Sequence, residues 1–174
     1  AGRCRDALRC MQEAASYLPA DRPPQLLGSF AAALTLSGRG REARPLFAGI
    51  EGYLEAVEPL SPEGQTVVLS LTPRTWLGDF EAADRLVARW VDRARDAGCL
   101  AYLGFPQALG AEVDFRRGRW GEGLVRAHEA VRSLEETGQT SPLAFALVTL
   151  AQLEAGLGRE EACRAHVERA MEIA

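Results

Sequence analysis

Four glycines, Gly38, Gly78, Gly118 and Gly158, stand 40 residues apart, each in a short polar turn: Ser37-Gly38-Arg39, Leu77-Gly78-Asp79, Arg117-Gly118-Arg119 and Leu157-Gly158-Arg159. A fixed period of this length means one supersecondary unit repeated along the chain, and it constrains the fold more than any single motif. Glycine is what a helix end needs where the backbone turns left-handed. Gly2-Arg3 followed by Asp6-Ala7-Leu8 reads as the same turn from a unit whose first helix is missing.

Counting forward from each glycine, small or apolar residues recur in register. They are Ala43, Ala83, Gly123 and Cys163 at the fifth position, and Phe47, Val87, Ala127 and Val167 at the ninth. Ile50, Trp90, Ala130 and Ala170 follow at the twelfth, and Leu54, Ala94, Leu134 and Ala174 at the sixteenth. Steps of four, three and four trace one stripe of a helix, so the second helix of each unit is expected to be amphipathic. Ser61-Pro62-Glu63 and Ser141-Pro142 pair an N-cap hydroxyl with proline at the first helical position. Helices are expected near 3–18, 24–37, 41–57, 62–77, 80–97, 101–117, 120–137, 142–157 and 160–173. Pro73 is expected to kink its helix or end it near Leu71, and Pro106 poses a milder form of the same problem. No segment alternates with period two. The expected fold is all-α, about nine helices in tandem antiparallel pairs, forming one domain over 1–174. Its repeats fall near 24–59, 61–98, 100–138 and 141–174, preceded by an orphan second helix over 1–20.

With 47% hydrophobic residues there is ample material for a packed core. The longest apolar stretches, such as Phe145 to Ala151, fall far short of the roughly 20 residues of a membrane span. The first residues lead into no apolar run with a cleavage site, so no signal peptide is expected, and the lack of an initiator Met points to an excerpt from a longer protein. All 20 basic residues are Arg, which fits a high-G+C bacterial genome, and without Lys there is no GxxxxGK phosphate-binding loop. The net charge of −4 arises from Arg and acidic residues interspersed along every helix, so direct nucleic-acid contact by this chain is not expected. Cys4, Cys10, Cys99 and Cys163 show no CxxC or Cys/His ligand spacing, which fits a cytoplasmic location and no metal or other cofactor. Cys4 and Cys10 point to different sides of one helix, so a disulfide between them would require unwinding.

The small residues Ala83, Ala111, Ala130, Ala151, Cys163 and Ala170 fall where a tetratricopeptide repeat has its small positions. The chain resembles a degenerate tetratricopeptide array, which implies a right-handed superhelix, an α-solenoid with a concave groove. It departs from the 34-residue pattern by six extra residues per unit, lacks the terminal Pro, and puts Trp90 at a usually small position. Gly118-Arg119-Trp120-Gly121-Glu122-Gly123-Leu124 and Gly158-Arg159-Glu160-Glu161-Ala162-Cys163-Arg164-Ala165-His166 are similar to the helical-repeat region of large bacterial LuxR-type transcriptional regulators. That resemblance implies an ATP-binding domain before the repeats and a helix-turn-helix domain after them, neither of which lies in this chain.

His128 and His166 occupy inequivalent repeat positions, with no carboxylate at ligand spacing to both, and read as structural or surface residues. Cys163 and His166, three apart on one helix, are the raw material of a thiolate–imidazole pair, but Cys163 also fills a small packing position. Glu135-Glu136, Glu160-Glu161 and Asp92 with Asp96 read as solvated faces, and Trp76, Trp90 and Trp120 as interhelix packing. In a tetratricopeptide-like array the first helices line the groove. The candidates there are Gln65, Thr72 and Thr75 in one unit, Phe105, Glu112 and Phe115 in the next, and Phe145, Val148 and Gln152 in the last. Such a face suits an apolar peptide, a helix or a small-molecule inducer, while the alternative is that the Phe side chains seal neighbouring repeats. Ala7, Leu8, Met11 and Ala15 of the orphan helix offer a surface for a homodimer. No membrane contact is expected. The expected function is a non-catalytic sensing module of a LuxR-type regulator that couples inducer or partner binding to a DNA-binding domain outside this chain. A free-standing protein-interaction adaptor is the alternative, and an enzyme using Cys163 and His166 is a third.

Overall fold

The computed structural model describes residues 6, 9, 10, 12, 13 and 23–173. Asp6, Arg9, Cys10, Gln12 and Glu13 are helical; the rest of the expected orphan helix, with Cys4 and the surface of Ala7, Leu8, Met11 and Ala15, lies outside the described residues, as does Ala174. The chain divides into two compact units, Ala1–Asp79 and Phe80–Ala174. Among the described residues every regular element is helical. The first unit holds α1 (Pro24–Leu36), α2 (Gly40–Gly49), α3 (Glu51–Ala56), a 3-10 turn (Pro62–Gly64) and α4 (Gln65–Trp76). The second holds α5 (Phe80–Asp96), a 3-10 turn (Leu100–Tyr102), α6 (Gly104–Arg116), α7 (Trp120–Glu136), α8 (Thr140–Gly156) and α9 (Glu160–Ile173).

The periodic glycines do what their spacing predicts: Gly38, Gly78, Gly118 and Gly158 have φ of 77°, 79°, 77° and 73°. Gly98 and Gly138, a second pair 40 residues apart, take φ of 64° and 67° and end α5 and α7 in the same way. In all six turns the amide after the glycine returns to a carbonyl five residues back. Arg39, Asp79, Cys99, Arg119, Gln139 and Arg159 donate to Leu34, Arg74, Ala94, Asp114, Leu134 and Glu154 at 2.8–3.0 Å. These Schellman closures satisfy carbonyls that a helix end leaves open and fix the reversal between successive helices.

In the first unit α1 packs on α2 and α4, and Ala43, Phe47, Ile50 and Leu54 of the expected stripe are buried with Ala31, Leu34, Val67 and Leu71. In the second, each helix packs on the next, and α6 also packs on α8. Ala127, Ala130 and Leu134 are wholly buried there, against Leu147, Leu150 and Leu153. Burying each such Leu removes apolar surface worth roughly 1.5–3 kcal/mol. The stripe weakens only in α9, where Cys163 is half-buried and Val167 is 41% exposed while Ala170 remains buried.

Three boundaries differ from those the sequence spacing predicts. The helix expected over 41–57 breaks at Ile50, whose φ and ψ of −110° and 7° separate α2 from α3. Gly49 and Gly52 flank that break and each disfavours helix by about 1 kcal/mol relative to Ala, while α2 runs past Pro45, whose missing donor leaves the Arg41 carbonyl open. Conversely, Pro73 does not end its helix near Leu71: α4 runs on to Trp76. The ring is buried, and the turn around it keeps other bonds, with Thr75 Oγ1 donating to Leu71 O and the Leu77 amide to Pro73 O, both at 3.0 Å. The helix expected from Pro142 begins at Thr140, without a side-chain cap, which leaves Pro142 in the first turn where its missing N–H is not needed. Pro106 likewise sits in the first turn of α6. Ser61 caps as expected, its Oγ accepting from the Gly64 amide at 3.2 Å.

Candidate functional site

The groove candidates are divided between the two units. In the first, Gln65 opens α4, its side chain outside the described residues, Thr72 is half-buried, and Thr75 is buried with its hydroxyl committed to Leu71. In the second, Phe105 on α6 and Phe145 on α8 meet edge to face, with centroids 5.9 Å apart and planes at 78°. Phe115 and Phe145 also pack against the buried core, so all three Phe are half-sealed. Glu112 is buried and accepts Nε and Nη2 of Arg116 at 3.2 and 3.1 Å. Val148 is 46% exposed and Gln152 is exposed; with Phe145 they follow three and seven residues along one face of α8. Phe105, Phe145, Val148 and Gln152 thus form a partly open row, while Thr75 and Glu112 serve local bonds.

A second set of buried residues sits four residues before each periodic glycine. Leu34, Arg74, Asp114 and Glu154 are all buried there, three of them charged. Arg74, 1% exposed, pairs with Glu51 and with Asp79 at 3.3 Å, donates to Phe47 O at 3.1 Å and lies 5.1 Å from the Phe47 ring centre. Asp114, fully buried, accepts Nε and Nη2 of Arg119 at 2.8 and 2.5 Å. Arg119 also reaches Asp84 at 3.1 Å, and Asp84 accepts Arg117 at 2.7 Å. Burial by itself pushes the Arg119 guanidinium down, and the hydrogen bonds to Asp114 and Asp84 outweigh it, holding its ionisation above the ordinary arginine value. The other oxygen of Asp114, Oδ2, accepts no hydrogen bond and lies 3.4 Å from Arg126 Nη1.

Glu154 meets His166 Nδ1 at 2.7 Å, and the His166 ring lies 6.3 Å from that of His128 at 72°. The two histidines and a carboxylate, which the sequence spacing keeps apart, are therefore neighbours in space. Among the described residues Cys163 makes no hydrogen bond to His166, whose Nδ1 faces Glu154 instead, and no group of three or more His, Cys, Asp or Glu is arranged to hold a metal ion. The signal for these links was present in the period. The eighth residue after each glycine reads Leu46, Leu86, Arg126, His166, changing from Leu to a nitrogen-bearing side chain in the two units whose buried residue is an acid.

Beside Arg126 an open cleft of about 450 Å³ lies between α5 and α7, with α6 contributing Gln107. Its α5 wall carries Val87, Ala88, Val91, Asp92 and Arg95. Among the described residues no helix is long and apolar enough to cross a membrane. No family model, curated protein or solved structure matches the chain.

Proposed function

We propose that this chain is a non-catalytic binding module, the helical-repeat region of a LuxR-type transcriptional regulator, which couples a bound inducer or partner to a DNA-binding domain outside it. On this proposal the repeats form a right-handed, tetratricopeptide-like superhelix in the cytoplasm, running as one domain through both units. The observation that carries it is the row of Phe105, Phe145, Val148 and Gln152, open to solvent beside a core in strict 40-residue register. Stacked repeats share contacts only with neighbours, so a ligand lying across two first helices can favour one curvature over another.

Two experiments test the reading. The coding sequence beyond Ala174 should open a helix-turn-helix within about one domain length, on the order of 100 residues; a nearby stop codon would remove the regulator and leave the adaptor. In the intact regulator, Val148→Glu with Gln152→Glu should abolish the response of a reporter gene while leaving helicity and operator binding unchanged, because neither side chain is needed for the core. A reporter that still responds would exclude this face.

A further inference from the structure

We propose that the cleft between α5 and α7 is a small-molecule site for a zwitterion of the α-amino acid class with an apolar side chain, distinct from the first-helix face. Gly110 stands in the middle of α6, where glycine is disfavoured relative to alanine. The equivalent positions of the other units hold Phe30, Ser70 and Leu150. A Cβ at Gly110 would lie 2.3 Å from Arg126 Nη1 and 3.0 Å from its Cδ, so the missing side chain is the space in which this guanidinium lies. Two departures from the repeat pattern, a glycine and an arginine in place of Leu, thus serve one placement.

Arg126 ion-pairs with the buried Asp114 at 3.4 Å yet makes no hydrogen bond to it, so its fork of donors is unused. Among the described residues the Gln107 side chain also makes no hydrogen bond, and Arg95 forms no ion pair. A planar carboxylate matches such donors in geometry and charge. The rim carries the opposite sign as well. Asp92 is exposed without an ion-pair partner among the described residues, and Glu122, 75% exposed, has only a 3.7 Å approach to Arg119 Nε. An ammonium suits these. Val87, Ala88 and Val91 of α5 supply apolar wall to the same cleft.

Charge balance separates a zwitterion from a simple anion. Asp84, Asp92 and Glu122 line the cleft against Arg95, Arg119 and Arg126, so the lining is neutral, and the buried Asp114 behind it makes the surroundings hostile to a net negative ligand. A ligand carrying both charges meets each at a complementary group. The cleft's 450 Å³ lies within the roughly 300–1,000 Å³ of small-molecule sites.

Isothermal titration of the whole chain with L-leucine, L-phenylalanine, 4-methylpentanoate and 3-methylbutylamine tests this. At least one of the two amino acids should bind saturably, and both leucine analogues, lacking the ammonium or the carboxylate, should bind at least about tenfold more weakly than that amino acid, as expected for losing a charged hydrogen bond. Arg126→Gln, Gly110→Ala and Asp92→Asn should each weaken amino-acid binding by about tenfold or more. Arg126→Gln and Gly110→Ala disturb buried contacts, so their thermal melts are recorded alongside; Asp92→Asn, on the exposed rim, tests the site without that complication. Absence of saturable binding by either amino acid overturns the proposal, as does equal binding of 4-methylpentanoate or indifference to Asp92→Asn.

Discussion

At Gly118 and Gly121 an added methyl group meets nothing within 4 Å, so substitution by Ala reports backbone conformation alone. Gly118 sits at φ of 77°, where an L side chain costs roughly 1–2 kcal/mol, whereas Gly121 lies inside α7, where Ala gains about 0.5–1 kcal/mol. Urea unfolding should therefore move in opposite directions for Gly118→Ala and Gly121→Ala; a shift of one sign for both would contradict the turn geometry. Removing Arg119 leaves the fully buried Asp114 with only the 3.4 Å approach of Arg126, so Arg119→Ala should cost about 3 kcal/mol, well beyond the loss of an exposed pair such as Arg164 with Glu160. Glu42 gives a pH signature: the hydrogen bond from Arg39 holds its carboxyl below the usual range. Its contribution is present above the ordinary carboxylate pKa and fades as pH falls through the lowered one. Carbon NMR titration should find the Glu42 midpoint low, and Arg39→Gln should return it toward the ordinary value.

Elements were legible to the degree that one residue type decides them. Each periodic glycine marked a helix end because only a left-handed closure at that point lets the amide behind it reach back five residues. Gly98 and Gly138 obey the same rule but went unread, since they stand at half the period and Glu58, with no such freedom, fills the corresponding place in the first unit. Pro73 does not end its helix because tertiary burial of its ring outweighs one lost bond, and the break at Ile50 falls between Gly49 and Gly52, beyond Pro45. The ion links were the least legible, because Asp114 with Arg126 and Glu154 with His166 are 12 residues apart and only the packing of one helix on the next joins them. Phe105 and Phe145 could be placed on first helices by spacing, but not in contact. Pro45 is open to a direct test. Its ring is exposed, so Pro45→Ala loses little packing, restores a donor toward Arg41 and should stabilise the first unit by about 1–2 kcal/mol with a gain in far-UV helicity. A loss of stability would mean that the proline, not the glycines, shapes the join between α2 and α3.

For the whole molecule, the distribution of charge decides what it can touch. Several surface arginines are answered in place: Arg117 and Arg119 by Asp84, Arg164 by Glu160 and Arg169 by Glu135. Among the described residues such a surface, on a chain of net charge −4, presents no row of uncompensated cations that would release counterions from a duplex. Non-specific DNA binding by proteins that possess such a row falls at about 10⁻⁴–10⁻⁶ M. At about 0.15 M salt, where screening acts within roughly 8 Å, this chain should leave the fluorescence anisotropy of a labelled duplex unchanged up to tens of micromolar protein. Lowering the salt should add little, because the local acids compete with phosphate for the paired arginines at short range whatever the ionic strength. A saturable rise in anisotropy that steepens as salt is removed would show instead that phosphate displaces these pairs, and the chain would then itself be a nucleic-acid-binding surface.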